Sequence, residues 1–276
     1  MELFFAKYHG LGNDFILVEE EEVQTFDVGK LAVTLCDRHT GIGADGLIVL
    51  RKQHRLEMLF YNSDGSTAPM CGNGIRCLAH YLYTSGLTLN KYALQTGAGE
   101  MIVEIVSEEP FLVKINMGKP DFNTANIPVN ANQTEFINQT LIIGNETITL
   151  SSVFMGAVHT VVFVDDLEKV NIEKTGEAIC HYSLFPNRTN VNFTQVIDRE
   201  TLRVRTYERG VGPTLACGSG CCAAAVISEK LGHTGKNVKV ELALGALQVE
   251  VGENVYMTGP AVRVYDGNLS LELIPM

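Results

Sequence analysis

The chain has 276 residues, of which 46% are hydrophobic and 19% charged, a composition typical of a globular protein large enough for two compact domains. The formal net charge of −11, without any cluster of lysines or arginines, argues against nucleic acid as a partner. The apolar runs are short and interrupted, so we expect no membrane role.

Most of the chain is predicted to form short strands separated by turns. In the first half the strand-like segments are 47–51, 57–62, 101–106 and 111–117. In the second half they are 146–156, 159–166, 191–197 and 201–208, followed by a closing meander over 239–267.

Helices are predicted to be few, and they occur as two matched pairs. The four segments are 28–43, about 71–86, 171–186 and about 217–232. The second and fourth end at a glycine, and each carries apolar residues at helical spacing. Each half therefore contains strands and two helices in the same order, which indicates a diverged internal duplication with its seam near 117–130.

The segment GIGADG, residues 41–46, matches the Gly-x-Gly-x-x-Gly pattern of dinucleotide-binding loops. That fingerprint requires a strand before it and a helix after it. Here the predicted order is reversed, so we expect no nucleotide to bind at this segment.

Cys-Gly-x-Gly occurs twice, at 71–74 and at 217–220, each time at the predicted start of a helix. The first amides of a helix lack intrahelical acceptors, and the helix dipole adds positive potential there. Such a position is expected to lower the pKa of a thiol and to bind an anion on the uncovered amides. Two such positions, one in each half, predict that Cys71 and Cys217 serve a single site.

Other functions of the cysteines were weighed against this one. The spacings lack a Cys-x-x-Cys pair, which disfavours a metal site, and no metal ligand is assigned. Cys77, Cys221 and Cys222 fall inside helices and are interpreted as small core residues. A redox-sensing disulfide between Cys71 and Cys217 remains a possible alternative. Seven cysteines at irregular spacing, with no signal-peptide pattern, predict a cytoplasmic protein with reduced thiols.

Two thiols on opposed helix ends suit inversion at a carbon atom. One thiolate would remove the α-proton of an amino acid while the opposing thiol delivers a proton to the other face. The helix amides would hold the adjacent carboxylate and stabilise the charge that develops on it. This chemistry needs no cofactor, and none is predicted.

Long ordered motifs resemble the diaminopimelate epimerase family across essentially the whole chain. They are KYHGLGNDF (7–15), DRHTGIGADG (37–46), NSDGSTAPMCGNGIRC (62–77), FPNRTNVNF (185–193) and YERGVGPTLACGSGCCAAA (207–225). The resemblance implies an α+β fold of two pseudo-symmetric lobes, each a barrel-like sheet wrapped around a central helix, with the active site in the cleft between them. The expected lobes are 1–118, joined by a returning 263–276, and 119–262. A homodimer is also implied.

The resemblance also implies roles for individual residues. Cys71 and Cys217 correspond to the acid/base pair, with His159 and Glu208 beside them in the catalytic set. The carboxylate-binding positions are Gly72, Asn73, Gly218 and Ser219. Further substrate contacts are Asn13, Asn62, Asn190, Glu208 and Arg209. The guanidinium of Arg209 suits a distal carboxylate of the substrate.

One position departs from the family pattern. The family usually has Gly-Asn-Pro-His where this chain has GAVH, so Ala157 replaces an asparagine that contacts the substrate. The predicted function is interconversion of LL- and meso-diaminopimelate in lysine and peptidoglycan synthesis. The alternatives are a related racemase acting on another amino acid, such as a lanthionine-like or histidine substrate, and a thiol redox or zinc protein without turnover.

Overall fold

The computed structural model describes residues 2–270, which form two units. The first unit runs to Ile115 and resumes at Gly259, and the second is Asn116–Thr258. The sequence placed these boundaries at 118 and 263, a few residues later in both cases. Of the predicted return over 263–276, residues 271–276 lie outside the described residues.

The first unit contains a mixed sheet and three helices. Its strands are β1 (Glu2–Gly10), β2 (Asn13–Glu19), β3 (Gly46–Arg51), β4 (Glu57–Asn62), β5 (Lys91–Thr96), β6 (Gly99–Glu108), β7 (Phe111–Gly118, which crosses the unit boundary) and β17 (Val262–Ser270). Its helices are α1 (Glu20–Val23), α2 (Val28–Cys36) and α3 (Gly72–Thr84). β1 pairs antiparallel with β2 and with β17, while β2 and β3 run parallel.

Helix α3 is the centre of the first unit. It packs against β1, β2, β3, β4, β6 and β17, so that the sheet encloses it. The predicted apolar stripe is buried: Ile75, Leu78, Ala79 and Leu82 are at most 2% exposed. Burying each of the larger side chains contributes about 1.5–3 kcal/mol. The helix ends at Thr84, and Gly86 follows with φ 101°, a left-handed conformation that favours glycine.

The second unit repeats this plan. Its strands are β8 (Gln139–Ile143), β9 (Glu146–Phe154), β10 (Val158–Phe163), β11 (Asn190–Asp198), β12 (Thr201–Glu208), β13 (Gly212–Thr214), β14 (Asn237–Leu242), β15 (Gly245–Val251) and β16 (Val255–Pro260, which reaches past the unit boundary). Its helices are α4 (Ile172–Cys180) and α5 (Gly218–Lys230), with one 3₁₀ turn at Leu167–Lys169. Helix α5 packs against β9, β10, β11, β12, β14 and β15.

The duplication predicted from the sequence is visible in the pairing of the strands. β2 is parallel to β3 and β3 antiparallel to β4, just as β10 is parallel to β11 and β11 antiparallel to β12. A helix follows β2, and another follows β10. The 13-residue helix α3 comes after β4, and its counterpart α5, also of 13 residues, comes after β12 and β13. The α+β fold class is confirmed.

Two predicted helices are shorter in the structure. Helix α2 ends at Cys36 instead of continuing to residue 43, because Asp37 accepts hydrogen bonds from the amides of His39 and Thr40 and starts a turn. Helix α4 ends at Cys180 and not at 186. No helix within residues 2–270 has both the length and the apolarity needed to cross a bilayer.

Candidate active site

Cys71 is the N-cap residue of α3, and its half-buried thiol faces the first turn of that helix. The sulfur accepts a hydrogen bond from the amide of Gly74 at 3.4 Å. Gly72 and Asn73 occupy the first two helical positions beside it. Because these amides lack intrahelical acceptors, this end of α3 can stabilise a thiolate or a carboxylate.

Asn13, at the start of β2, lies next to Cys71. Its side-chain oxygen accepts a hydrogen bond from Asn73 Nδ2 at 2.9 Å and lies 3.9 Å from Cys71 Sγ. Its Nδ2 donates to Asp45 Oδ2 at 2.7 Å, which fixes the direction of the amide. The structure therefore brings together three of the predicted site residues of the first unit.

A network of charged side chains holds Asn13 in place. Arg38 Nη2 donates to Asp14 at 2.7 Å and to Asp45 at 2.8 Å, and Lys7 pairs with Asp14 at 2.7 Å. Burial alone would raise the pKa of Asp14, but the hydrogen bonds from Arg38 and Lys7 outweigh it and lower the pKa to about 2. These charged residues were not predicted as part of the site. A signal was present in the sequence, since Arg38 and Asp45 lie in the family motif DRHTGIGADG at 37–46.

Asn62 ends β4 and pairs across the sheet with Gly46, next to Asp45. Its side chain donates to Ser66 Oγ at 2.9 Å within the turn that follows. In the structure it therefore supports this turn.

Cys217 is the N-cap residue of α5, and it is only 7% exposed. Gly218 is the first residue of the helix, and Ser219 Oγ lies 3.6 Å from the cysteine sulfur. Burial, followed by the negative charge of Glu208, raises the pKa of Cys217 well above its ordinary value. The hydroxyl of Ser219 and the amide of Gly220 oppose this shift without reversing it. The lowered pKa predicted from the sequence is wrong for Cys217, because desolvation of the thiolate outweighs the helix terminus.

His159, near the start of β10, is fully buried and reaches the same helix end. Its Nε2 lies 3.0 Å from Ser219 Oγ, so the imidazole is linked through Ser219 to Cys217. Burial, followed by the positive charge of Arg209, lowers the pKa of His159 to about 3. The imidazole is therefore neutral at neutral pH, and the side chain of Ser219 connects it to the thiol of Cys217.

The remaining predicted residues of the second unit lie at the ends of β11 and β12. Asn190 Oδ1 accepts from the backbone amide of Arg209 at 3.0 Å, and Asn190 Nδ2 donates to the carbonyl of Val158 at 3.0 Å. Glu208 accepts a hydrogen bond from Thr214 Oγ1 at 2.6 Å. The guanidinium of Arg209 is exposed and donates to the carbonyl of Asn187 at 3.3 Å.

Ala157 occupies the turn between β9 and β10. Its carbonyl accepts a hydrogen bond from the amide of Met155 at 2.8 Å, and its methyl side chain offers no polar group there. The predicted residues thus form two groups: Asn13, Gly72 and Asn73 with Cys71, and His159, Asn190, Glu208, Arg209, Gly218 and Ser219 with Cys217. Asn62 contacts Ser66 instead.

The three cysteines predicted to be small core residues lie within the two central helices. Cys77, Cys221 and Cys222 are completely buried inside α3 and α5, and burial raises the pKa of Cys77. None of the seven cysteines, all of which lie within residues 2–270, forms a disulfide. Among residues 2–270 no group of three or more histidine, cysteine, aspartate or glutamate side chains is placed to hold a metal ion.

Solved structures share this fold. A phenazine biosynthesis protein of the PhzF family from Bacillus anthracis matches with a TM-score of 0.73 at 15% identity, covering 98% of this chain and 99% of its own. A hydroxyproline epimerase from Agrobacterium vitis, solved with bound trans-4-hydroxy-L-proline, has a TM-score of 0.70 at 13% identity and covers 99% and 92%. At these identities the likeness concerns the fold alone.

Sequence comparison is more specific. The family model described as diaminopimelate epimerase matches residues 5–123 and 151–264. The diaminopimelate epimerase of Caldanaerobacter subterraneus subsp. tengcongensis is 44% identical over 274 residues, covering 97% of this chain and 99% of its own. The chain belongs to the diaminopimelate epimerase family.

Proposed function

We propose that this protein interconverts LL- and meso-2,6-diaminopimelate. Membership of the family across nearly the whole chain supports this activity. The observation that carries the mechanism is the pair of N-cap cysteines, Cys71 and Cys217, at the starts of the duplicated helices α3 and α5.

In the proposed reaction each cysteine serves one face of the α-carbon. One thiolate takes the α-proton and becomes a thiol, leaving the electron pair on the carbon and its carboxylate. The opposing thiol then gives its proton to the other face and becomes a thiolate, so the configuration is inverted and the proton count is unchanged. Both protons are carried by sulfur, so the scheme calls on no cofactor or metal.

The helix ends supply the electrostatic part of the mechanism. The amides at Gly72, Asn73, Gly218 and Ser219 are proposed to hold the reacting carboxylate and to stabilise its additional negative charge. The high pKa of Cys217 in the structure means that its thiolate needs further stabilisation when substrate is bound. The ammonium group of an amino acid and loss of water around it are two sources of such stabilisation.

The far end of the substrate is assigned to the polar groups around Arg209. Its exposed guanidinium suits a distal carboxylate, and Asn190 and Glu208 lie beside it. Asn13 and Asn62 are proposed as further contacts. Ala157 removes one amide contact that is usual in the family, which would weaken binding by about 1–3 kcal/mol unless a water molecule replaces it.

The proposed cellular setting follows from the reaction. Its product would serve lysine and peptidoglycan synthesis in the cytoplasm, with a small amino acid as the partner and neither nucleic acid nor membrane involved. We also propose that the protein acts as a homodimer.

The test is uptake of deuterium at the α-carbon in heavy water, measured by proton NMR or mass spectrometry across a panel of amino acids. We expect exchange with LL- and meso-diaminopimelate, and loss of epimerisation in Cys71→Ala and in Cys217→Ala because each removes one acid/base group. Cys77→Ala and Cys222→Ala are matched controls, since these buried thiols lie within the same helices.

Three outcomes would count against the proposal. Exchange with a different amino acid alone would overturn the substrate. Full activity in either N-cap variant would overturn the two-thiol mechanism. Turnover that depends on added zinc or on an oxidant would favour a thiol redox or metal protein.

A further inference from the structure

A chain of hydrogen bonds runs behind Cys217 and ends at a buried asparagine that is outside the predicted site. Asn192, on β11, is completely buried, and its Nδ2 lies 3.2 Å from His159 Nδ1. On the other side of the imidazole, Nε2 lies 3.0 Å from Ser219 Oγ, which is 3.6 Å from Cys217 Sγ. Four side chains from β11, β10 and α5 are thus connected in series.

The orientation of the Asn192 amide is fixed by its other neighbours. Nδ2 lies 3.3 Å from the backbone carbonyl of Thr160, which can only accept a hydrogen bond. Oδ1 accepts from Thr206 Oγ1 at 3.1 Å. The side-chain nitrogen therefore faces His159, and it can only donate to Nδ1 of the imidazole.

This donation decides where the proton of the neutral imidazole lies. If Nδ1 accepts a hydrogen bond, Nε2 carries the proton and donates to Ser219 Oγ. The serine proton is then free to point to Cys217 Sγ. In the other tautomer Nε2 would accept the serine proton and draw it away from the sulfur.

The first unit has apolar residues at the corresponding positions. In the parallel strand pairs, Phe15 lies opposite Gly46 in the first unit and His159 lies opposite Asn190 in the second. Two residues after Gly46, Ile48 lies opposite Phe60. Two residues after Asn190, Asn192 lies opposite Thr206. The triad His159, Asn192 and Thr206 thus corresponds to Phe15, Ile48 and Phe60. The same fold is stable with an apolar triad, so the fold itself does not require buried polar groups behind Cys217.

We propose that Asn192 is a positioning residue that holds His159 in the Nε2–H tautomer, so that the hydroxyl of Ser219 donates to the sulfur of Cys217. The inference rests on the proposed function, because it assigns the hydrogen-bond support of one acid/base group. It predicts that the two cysteines are unequal: each is supported by a helix amide, of Gly220 for Cys217 and of Gly74 for Cys71, but Cys217 has the adjustable hydroxyl of Ser219 in addition.

Other groups also act on Cys217 and must be held constant in a test. Glu208 on β12 and Cys221 on α5 raise the pKa of its thiol, and Arg209 lies close enough to lower the pKa of His159. None of these side chains is changed in the variants below.

The first measurement is the tautomer of His159, read from the ¹⁵N chemical shifts of the imidazole in protein labelled with ¹⁵N-histidine. Comparison with His159→Gln assigns the signal. We expect the neutral Nε2–H form between pH 6 and pH 8. In Asn192→Asp the carboxylate can only accept, so Nδ1 should gain a proton.

The second measurement compares Asn192→Leu with Thr194→Val. Leucine keeps the branched shape of asparagine and removes the donor to His159. Thr194 is a buried neighbour on β11 whose hydroxyl donates to the backbone carbonyl of Asn192. We expect Asn192→Leu to move the pH midpoint of Cys217 alkylation upwards relative to Cys71, and to lower kcat about 10-fold with little change in KM. Thr194→Val should resemble the unchanged protein.

The alkylation and tautomer readouts do not depend on the substrate, so failure of the proposed function would leave them intact. An Nδ1–H or doubly protonated His159 in the unchanged protein would overturn the inference. So would an Asn192→Leu protein whose Cys217 midpoint equals that of Thr194→Val. If Asn192→Leu does not fold, the tautomer of the unchanged protein still decides the matter.

Discussion

At the scale of single residues, His159 shows how burial determines chemistry. The side chain has no contact with solvent, and its pKa falls from the ordinary 6.5 to about 3. In the unfolded chain the imidazole binds a proton near pH 6.5, whereas in the folded protein it stays neutral down to about pH 3. Between these values the unfolded state holds more protons, so acid favours unfolding.

This difference predicts how stability depends on pH. The penalty from His159 should begin below about pH 6.5 and be complete near pH 3, with a slope of up to about 1.4 kcal/mol per pH unit in the free energy of unfolding. His159→Gln cannot titrate and should lose stability less steeply across this window. Urea unfolding followed by circular dichroism at several pH values measures the difference.

The exposed His181 provides the control. His181→Gln should follow the unchanged protein at every pH, because this substitution changes an exposed side chain and leaves the buried groups intact. Parallel curves for His159→Gln and the unchanged protein would contradict the assigned burial.

The repeated motif singled out Cys71 and Cys217, and the family resemblance pointed to His159 and Ser219, but nothing in the sequence predicted Asn192. Cys71 and Cys217 stand in a repeated local motif, and a local motif is readable without a structure. Asn192 and His159 are 33 positions apart and meet only because β10 and β11 pair in a particular register. Register depends on packing of the whole sheet, so this contact could not be predicted from the spacing of residues.

At the scale of elements, α3 and α5 begin with the same Cys-Gly-x-Gly pattern but meet different neighbours. A Cβ atom on Gly220 would lie 2.2 Å from Asn192 Oδ1, a side chain fixed on two sides. A Cβ atom on Gly74 would lie 3.0 Å from Ile48 Cδ1, the movable end of an aliphatic chain. The glycine is therefore a strict requirement only in α5.

Gly220→Ala should destabilise the protein by about 1–3 kcal/mol through overpacking against Asn192. In Gly74→Ala the contact is relieved by a small movement of Ile48, and alanine favours a helix by up to about 1 kcal/mol. Thermal unfolding of the two variants side by side measures the contrast. Equal melting temperatures would show that the side chain of Asn192 is free to move away.

Prediction of the elements succeeded where apolar residues follow a regular period. Strand β3 is a short apolar run, and both of its ends were predicted within one residue. The first residues of α3 and α5 were also predicted within one residue, whereas both helices end slightly earlier than predicted. Strands β1 and β2 were missed. In β1 a buried lysine, Lys7, interrupts the apolar pattern, and its ammonium group pairs with Asp14 on the neighbouring strand.

At the scale of the whole molecule, exposed apolar side chains on β17 provide a test of the proposed homodimer. Three of four consecutive residues there are apolar and about half exposed: Val262, Val264 and Tyr265. Large exposed apolar side chains gathered on one strand are often found where proteins contact one another.

Sedimentation analysis should give twice the mass of one chain for the unchanged protein. Val264→Lys places a charge in the apolar segment and should shift the population towards monomer. Leu244→Lys is the matched control, since Leu244 is 58% exposed and Val264 53%, and Leu244 lies in the turn between β14 and β15. A Val264→Lys protein that remains fully dimeric would place the contact elsewhere.

The prediction of two units rests on the order of elements, which repeats along the sequence. Which strand completes which sheet was implied only by the resemblance to a family. Strand β17 has no local feature that assigns it to β1, since the partners are separated by more than 250 positions.

The pairing of β17 with β1 makes the second unit an insertion within the chain of the first. During synthesis β1 emerges from the ribosome long before its partner, and one row of its backbone N–H and C=O groups stays open meanwhile. The second unit, Asn116–Thr258, is contiguous and can fold in that interval. The first unit thus begins to be translated before the second but completes its sheet after it. Nascent chains stalled before Gly259 expose an unpaired strand edge, to which a chaperone or another copy of the chain can bind.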